Sequence, residues 1–548
     1  MIRWPRWSTT PTMLTAAVSL WCLAILNLPF WGRVLEVRPM AGTGDAAFLV
    51  SLALLAAMVI NLFLTPLTLW RPLAKPLLAF VLVLAASASY FSFTYGVFID
   101  KVMIRNVFAT DTREAGELVN LTLLAYVGIL GLLPALAVLR VTLVPIGWRR
   151  EILQRSLALG LTLLGVGSVA VGFYQDHASL LRNHRELRHL LTPVNVLAGI
   201  GSFTQEATRK ERPYEFIGTD ATLGARWNVA DTKDRPLMLV VVIGETARAQ
   251  EFSLDGYVRE TNPKLAAIPD LINFPDVSSC GTSTAISVPC MFSDLGRSGF
   301  DAEHARSRDN LLNILDRSGF DLRWYGNNTD CRGVCRGIKE IRAPRAKYPQ
   351  LCEDEHPCRD GAIFQEFFES LPGISGKQVV FLHMLGSHGP GYHLRYPSEF
   401  ERFTPVCRET DFSKCRVEDI INAYDNTLLY TDHLLAETIG SLRGIAERAD
   451  VAMIYLSDHG ESLGENGIFL HALPYAIAPE VQTQVPMLLW GSTGFFDRLG
   501  VDSNCVAARR QRALSHDHLF HSVLGLLDVQ TSARRPQLDL FEDCKRGL

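Results

Sequence analysis

The chain has 548 residues, 48% of them hydrophobic, and a formal net charge of −4. That length allows more than one large core, and the slightly acidic balance excludes the basic footprint that nucleic-acid binding requires. The averages conceal a split, because residues 1–176 are far more apolar than the remainder.

Five uncharged runs occupy that first part, at 11–32, 46–69, 76–99, 118–139 and 156–175. Each reaches the roughly 20 residues that a helix needs to cross a bilayer. A single run would also suit a signal peptide or a buried core helix, but five in succession suit neither. Basic residues set the orientation. Arg3 and Arg6 precede the first run, Arg71 and Lys75 follow the second, and Arg140, Arg149, Arg150 and Arg155 follow the fourth. The positive-inside rule then places the N-terminus in the cytoplasm and everything after the fifth run on the outer side. One outer loop is notable. In "DKVMIRNVFATDTREAGELV", Asn106, Thr110 and Glu114 recur at i, i+4 and i+8 and share a helix face. That face suits either a lipid head group or plain solvation.

Residues 177–235 read as a connector. "RNHRELRHLLTPVNVLAGI" mixes basic and apolar residues at helical spacing, which suits a helix on the bilayer surface or an ordinary packed helix and linker. Residues 236–548 read as the outer domain. Ten of the eleven cysteines fall there, and they form close pairs: Cys280/Cys290, Cys331/Cys335, Cys352/Cys358, Cys407/Cys415, and the looser Cys505/Cys544. An even count at short spacing on the oxidising side predicts disulfides. Cys331 and Cys335 would also suit a zinc knuckle, a thiolate site that an oxidising space disfavours. Cys22 lies inside the first run.

The outer domain alternates strand and helix. "LMLVVVIGE" ends at Glu245, "QVVFLHMLGSHG" contains His383 and His388, and "VAMIYLSDHGE" contains Asp458 and His459. Such continuous apolar runs suit parallel strands buried on both faces. Helical segments such as "VEDIINAYDNTLLYTDHLLAETIGSL" lie between them, so an α/β domain with helices on both faces of the sheet is expected.

Ligands in such sheets bind beyond the carboxyl ends of the strands. Glu245, Asp458 and His459 all follow strand ends, so they are predicted to converge although the first lies more than 200 residues before the others. Two carboxylates and an imidazole suit a catalytic zinc with a fourth position open. In "SSCGTSTAISVPCM" a loop enters a helix near Thr284, and a hydroxyl there, activated by a divalent metal, would serve as a nucleophile. A Cys280–Cys290 bridge would hold that turn. Composition alone leaves Thr282, Ser283 and Ser287 open as alternatives. His383, His388 and His471 gather at the same predicted edge and suit phosphate binding or proton transfer. His393, His433, His516, His518 and His521 have no such placement.

With these residues assembled, the sequence resembles the membrane-bound phosphoethanolamine transferases that modify lipid A, the family that includes polymyxin-resistance enzymes. "GETARAQEFSLDGY", "SCGTSTAISVPCMFS", "NNTDCRGVC", "HMLGSHGPGYHLRYP", "YDNTLLYTD" and "SDHGESLGENGIFLHALPY" carry the resemblance, together with the five spans. The resemblance implies a five-helix transmembrane domain followed by an alkaline-phosphatase/sulfatase-like domain, a three-layer sandwich around a mostly parallel sheet. It implies that Glu245, Thr284, Asp458 and His459 bind one tightly held zinc, with Thr284 as the nucleophile. His388 and His471 would contact the phosphoethanolamine group or a second zinc, and His383 would stand near them. Asn106, Thr110 and Glu114 would help hold the donor lipid. Thr329 and Arg332 stand where relatives have serine and lysine; arginine for lysine changes the geometry of a phosphate contact. Phosphatidylethanolamine is the implied donor and lipid A the acceptor. The implied setting is a monomer in a bacterial inner membrane with its catalytic domain in the periplasm. The resemblance also admits an acceptor in the core oligosaccharide, a periplasmic glucan or a protein. A glycerol-phosphate transferase shares the five-span plan but is not expected to be so rich in cysteine. A sulfatase would need a C/S-x-P-x-R motif, and "SVPCM" lacks the arginine.

Overall fold

The computed structural model describes residues 8–40, 42–95, 99, 104, 121–145, 147–208, 212–228, 234–328, 330–352, 357–409, 412–465, 468–473 and 475–547. The chain divides into two compact units, Met1–Glu211 and Arg212–Leu548.

In the first unit, Thr43–Thr68, Arg71–Thr94, Leu121–Arg140 and Arg149–Val169 are each long and apolar enough to cross a membrane. The first predicted run is a bent pair, Pro11–Leu26 and Leu28–Val37, meeting at 58°. The bend has a local cause. Pro29 brings no N–H to the helix ladder, and its ring opposes the carbonyl four residues earlier. Asn27, fully buried at the break, supplies the missing partners. Its amide donates to the carbonyls of Thr192 (2.6 Å) and Cys22 (2.8 Å) and accepts from the Thr192 N–H (2.8 Å). The last span starts ahead of the uncharged run. Glu151 makes that possible, pairing with Arg71 at 2.8 Å and Arg155 at 2.6 Å. Lys75 donates to the carbonyls of Leu139 and Val141 at 2.9 and 3.1 Å. Basic residues that set the orientation thus also close one end of the helices.

The second unit is built on a seven-stranded sheet. In chain order its strands are β1 (Leu237–Gly244), β2 (Ile272–Phe274), β3 (Asp321–Gly326), β4 (Lys339–Ile341), β5 (Lys377–His383), β6 (Asp450–Ser457) and β7 (Met487–Gly491). Their spatial order is β2-β7-β6-β1-β5-β3-β4, parallel except that β7 pairs antiparallel with both β6 and β2. The apolar runs are continuous because both faces are covered. Leu237, Leu239, Val241 and Ile243 enter one core, and Met238, Val240 and Val242 enter the other. The helix Val417–Ile445 packs on the second core through Ile420, Tyr424, Leu428, Leu435 and Ile439, while Leu311–Arg317 and Asp517–Leu526 pack on the first. This is the expected three-layer sandwich.

Register positions the chemistry. Gly244 lies opposite Ser457, and Ile243 lies opposite His383. The residues that follow these strands therefore leave the sheet at one edge, side by side. Five disulfides, Cys280–Cys290, Cys331–Cys335, Cys352–Cys358, Cys407–Cys415 and Cys505–Cys544, tie the loops of this unit. Cys331 and Cys335 bond each other, which removes the zinc-knuckle alternative. Cys22 is a free, buried thiol.

Candidate active site

Glu245 follows β1, and Asp458 and His459 follow β6. All three are fully buried, and one ligand atom from each lies within 4.8 Å of the others. Asp458 Oδ1 accepts the N–H groups of Thr246 (3.1 Å) and His459 (2.7 Å). Its Oδ2 is buried with no hydrogen-bond partner and lies 3.5 Å from His459 Nε2. His459 Nδ1 donates to the Gly460 carbonyl at 2.9 Å, which directs Nε2 toward the carboxylates.

The electrostatics are those of a cation site. Burial alone would raise the Glu245 carboxyl, but the hydrogen bond and charge of His459 hold it well below the usual range. Burial and the neighbouring Glu245 push Asp458 up to about 7. Burial lowers His459, yet Asp458 and Glu245 raise it to about 10. Two carboxylates thus compete for one imidazolium. Two carboxylates, one of them with an orphaned buried oxygen, together with an imidazole and a hydroxyl fit a zinc-type donor set.

Thr284 supplies that hydroxyl. It opens the helix Thr284–Met291. Its Oγ1 donates toward both Glu245 oxygens at 3.0 Å and lies 3.4 Å from His459 Nε2. Its neighbours are turned elsewhere. Thr282 donates to the Leu473 carbonyl at 2.6 Å, and Ser287 donates to the Gly281 carbonyl at 3.0 Å. Ser283 is the residue before the helix and makes no capping bond. The turn is anchored at its base by the Cys280–Cys290 bridge and by His516, which sequence alone left unplaced. The buried His516 accepts the Cys280 N–H at 3.1 Å through Nδ1 and donates to the Ser457 carbonyl at 2.9 Å through Nε2. Accepting at Nδ1 requires a neutral ring, and burial lowers its pKa to about 4.

The other histidines form a wall beside the cluster. His471 stands 4.3 Å from His459, ring to ring, and 5.9 Å from His388. Glu461, fully buried, holds His471 Nδ1 at 2.7 Å. His383 ends β5, packs edge-on against Trp324 at 5.5 Å, and has no partner on either ring nitrogen. Burial lowers both His383 and His388 to about 4. Arg332 turns back on Asp330 at 3.4 Å. Asn106, Thr110, Glu114 and Thr329 lie outside the described residues.

Sequence reasoning missed four supports. His516 is one. Asn328 donates to Glu245 Oε2 at 2.6 Å, and its signal was its place after a strand end in "NNTD". Glu461 stands two residues past His459. Asp360 had no local signal, yet its carboxylate accepts the N–H groups of Leu385 and Gly386, both at 2.7 Å. That fixes the turn between His383 and His388, where Gly386 takes φ +49° and a Cβ would meet the Glu245 carbonyl at 2.6 Å. Asp360→Ala would strand two buried donors. It is expected to destabilise the unit by about 3 kcal/mol or more, as read by urea unfolding followed through tryptophan fluorescence.

The chain is similar to known proteins along nearly its whole length. Residues 238–529 match the Sulfatase family model, and residues 55–208 match the model described as phosphoethanolamine transferase EptA/EptB. Phosphoethanolamine transferase EptA of Escherichia coli K12 is 38% identical over 523 residues, covering 95% of this chain and 94% of that protein. The chain belongs to the EptA/EptB family of phosphoethanolamine transferases. Within that family, phosphatidylethanolamine transferase Mcr-1 of Escherichia coli is 35% identical over 96% of each chain. The solved integral membrane lipooligosaccharide phosphoethanolamine transferase A of Neisseria meningitidis superimposes with a TM-score of 0.65 at 35% identity. It covers 99% of this chain and 100% of its own.

Proposed function

We propose that the chain transfers phosphoethanolamine from phosphatidylethanolamine to a phosphate of lipid A, in two steps, through a covalent intermediate on Thr284. The observation that carries this reading is the Thr284 hydroxyl, buried and 3.0 Å from Glu245 at the edge where β1 and β6 end. The relatives support the substrates: Mcr-1 is a phosphatidylethanolamine transferase, and the Neisseria protein acts in lipooligosaccharide modification by its name. Residues 1–176 would sit in the inner membrane with the N-terminus cytoplasmic, and the catalytic unit would face the periplasm.

Glu245, Asp458, His459 and Thr284 would hold zinc, which when bound lowers the pKa of a hydroxyl and offsets charge on phosphoryl oxygens. In the first step Thr284 Oγ1 bonds to phosphorus and the bond to the diacylglycerol oxygen breaks. Glu245 is placed to accept the hydroxyl proton. His388 and His471, on the wall beside the nucleophile, would contact the phosphoethanolamine group or a second zinc; in the former case His471, held at Nδ1 by the Glu461 carboxylate, would supply a proton to the departing oxygen. His383 would line the same wall. In the second step a lipid A phosphate oxygen attacks the same phosphorus and frees Thr284. The added ethanolamine cation would lower surface negative charge and weaken polymyxin binding.

Asn106, Thr110 and Glu114 would hold the donor head group. Positioning errors of this kind cost roughly 10- to 100-fold, so Glu114→Ala is expected to slow lipid transfer by that much with zinc content unchanged. A full-rate Glu114→Ala variant would confine the site to the outer unit. The reading as a whole is tested by mass spectrometry of lipid A from cells with and without this protein. It requires a species heavier by one phosphoethanolamine only when the protein is present. The group found instead on a core sugar, a glucan or a protein would reassign the acceptor.

A further inference from the structure

Thr246, between Glu245 and the rest of the turn, has φ +61°. A β-branched residue enters that left-handed region only against steric resistance, whereas glycine or asparagine enters it readily. Something specific to threonine must offset the resistance, because strain of this sort persists only where the surroundings over-determine it. The side chain is fully buried, and its contacts show what that is. Thr246 Oγ1 donates to Glu245 Oε1 at 2.7 Å. Its N–H donates to Asp458 Oδ1 at 3.1 Å. It thus donates to both carboxylates, through its hydroxyl to one and its N–H to the other. Its carbonyl accepts the Tyr424 hydroxyl at 2.8 Å, and that hydroxyl accepts the Arg248 N–H at 3.0 Å. The helix Val417–Ile445 thereby pins the strained turn from outside the site.

We propose that Thr246 is a positioning residue for the metal: it orients the Glu245 carboxylate through its hydroxyl and turns Asp458 so that the partnerless Oδ2 faces the centre. The φ strain is the consequence of reaching both carboxylates from one residue. This inference rests on reading Glu245, Asp458 and His459 as a zinc centre. Hydrogen-bonding supports behind metal ligands are typically worth about 10- to 100-fold in metal affinity.

The test uses the full-length protein in detergent, stripped of metal and titrated with zinc against a chromophoric competing chelator. Thr246→Val keeps the shape and loses the hydroxyl, Thr246→Ser keeps the hydroxyl, and Thr246→Gly relieves the backbone. Zinc affinity is expected to fall about 10- to 100-fold in the Val and Gly variants and to stay close to wild type in the Ser variant. The metal-free Gly variant is expected to melt within about 4 °C of wild type, which separates a metal-positioning role from a folding one. Wild-type affinity in the Val and Gly variants, or an Ser variant as weak as Val, would overturn the proposal while leaving the zinc centre standing. Failure of the wild-type protein itself to bind zinc, with Asp458→Ala indistinguishable from it, would overturn the zinc centre and this inference together.

Discussion

Thr284→Ala is expected to abolish transfer, with a loss of roughly 10³-fold or more, the scale on which removal of a covalent nucleophile acts. A methyl group can neither attack phosphorus nor ligate a metal. The neighbouring hydroxyls do not substitute, because Thr282 and Ser287 are bound to the Leu473 and Gly281 carbonyls. The fold should survive. Thr284 makes its hydrogen bonds into the cluster rather than into the core, and the Cys280–Cys290 bridge and His516 hold the turn without it. Glu245, Asp458 and His459 remain as donors, so the variant should still take up zinc. Initial rates of phosphoethanolamine transfer in phosphatidylethanolamine vesicles, with circular dichroism and metal analysis on the same preparation, check all three points. Full activity in this variant would return Thr282 and Ser283 to consideration.

Asp458→Ala is expected to lose stoichiometric zinc and, with it, transfer by roughly 10³-fold. The substitution removes Oδ2, the carboxylate oxygen of the cluster that has no hydrogen-bond partner, and takes Oδ1 away from the N–H groups of Thr246 and His459. It also removes the charge that does most to hold a proton on His459. Glu245→Ala and His459→Ala should behave alike, since each contributes one atom to the same 4.8 Å cluster. Atomic emission analysis after dialysis reads the metal directly. An Asp458→Ala protein that kept zinc and full turnover would require the ligand set to be redrawn.

The sequence carried the frame of this site because the frame is local. Apolar runs mark β1, β5 and β6, and polar residues directly after them mark the edge where a parallel sheet gathers its chemistry. Cysteines at short spacing announced pairs that close within their own loops. What escaped was whatever depends on partners distant in the chain. The Thr282 hydroxyl is turned away by the Leu473 carbonyl 191 residues on, and the Thr284 hydroxyl is turned in by Glu245 39 residues back. For that reason spacing alone left four hydroxyls open and only the family resemblance singled out Thr284. His516 reaches Cys280 across 236 residues, so nothing near "SHDHLFHS" could announce its role. Pro29 lies inside the first predicted run, which reads in the sequence as one unbroken span, and the partner that stabilises the break there, Thr192, lies 165 residues from Asn27. Asp360 acts on a turn 25 and 26 residues downstream, with no motif joining the two.

The most direct test of the account is to find the intermediate. Full-length protein incubated with phosphatidylethanolamine and no acceptor is quenched, digested and mapped by tandem mass spectrometry. The account predicts one phosphoethanolamine on the peptide that contains Thr284, localised to that residue, and its disappearance when lipid A is added before the quench. An adduct localised to Thr282 or Ser283, or active protein that never carries an adduct, would contradict it.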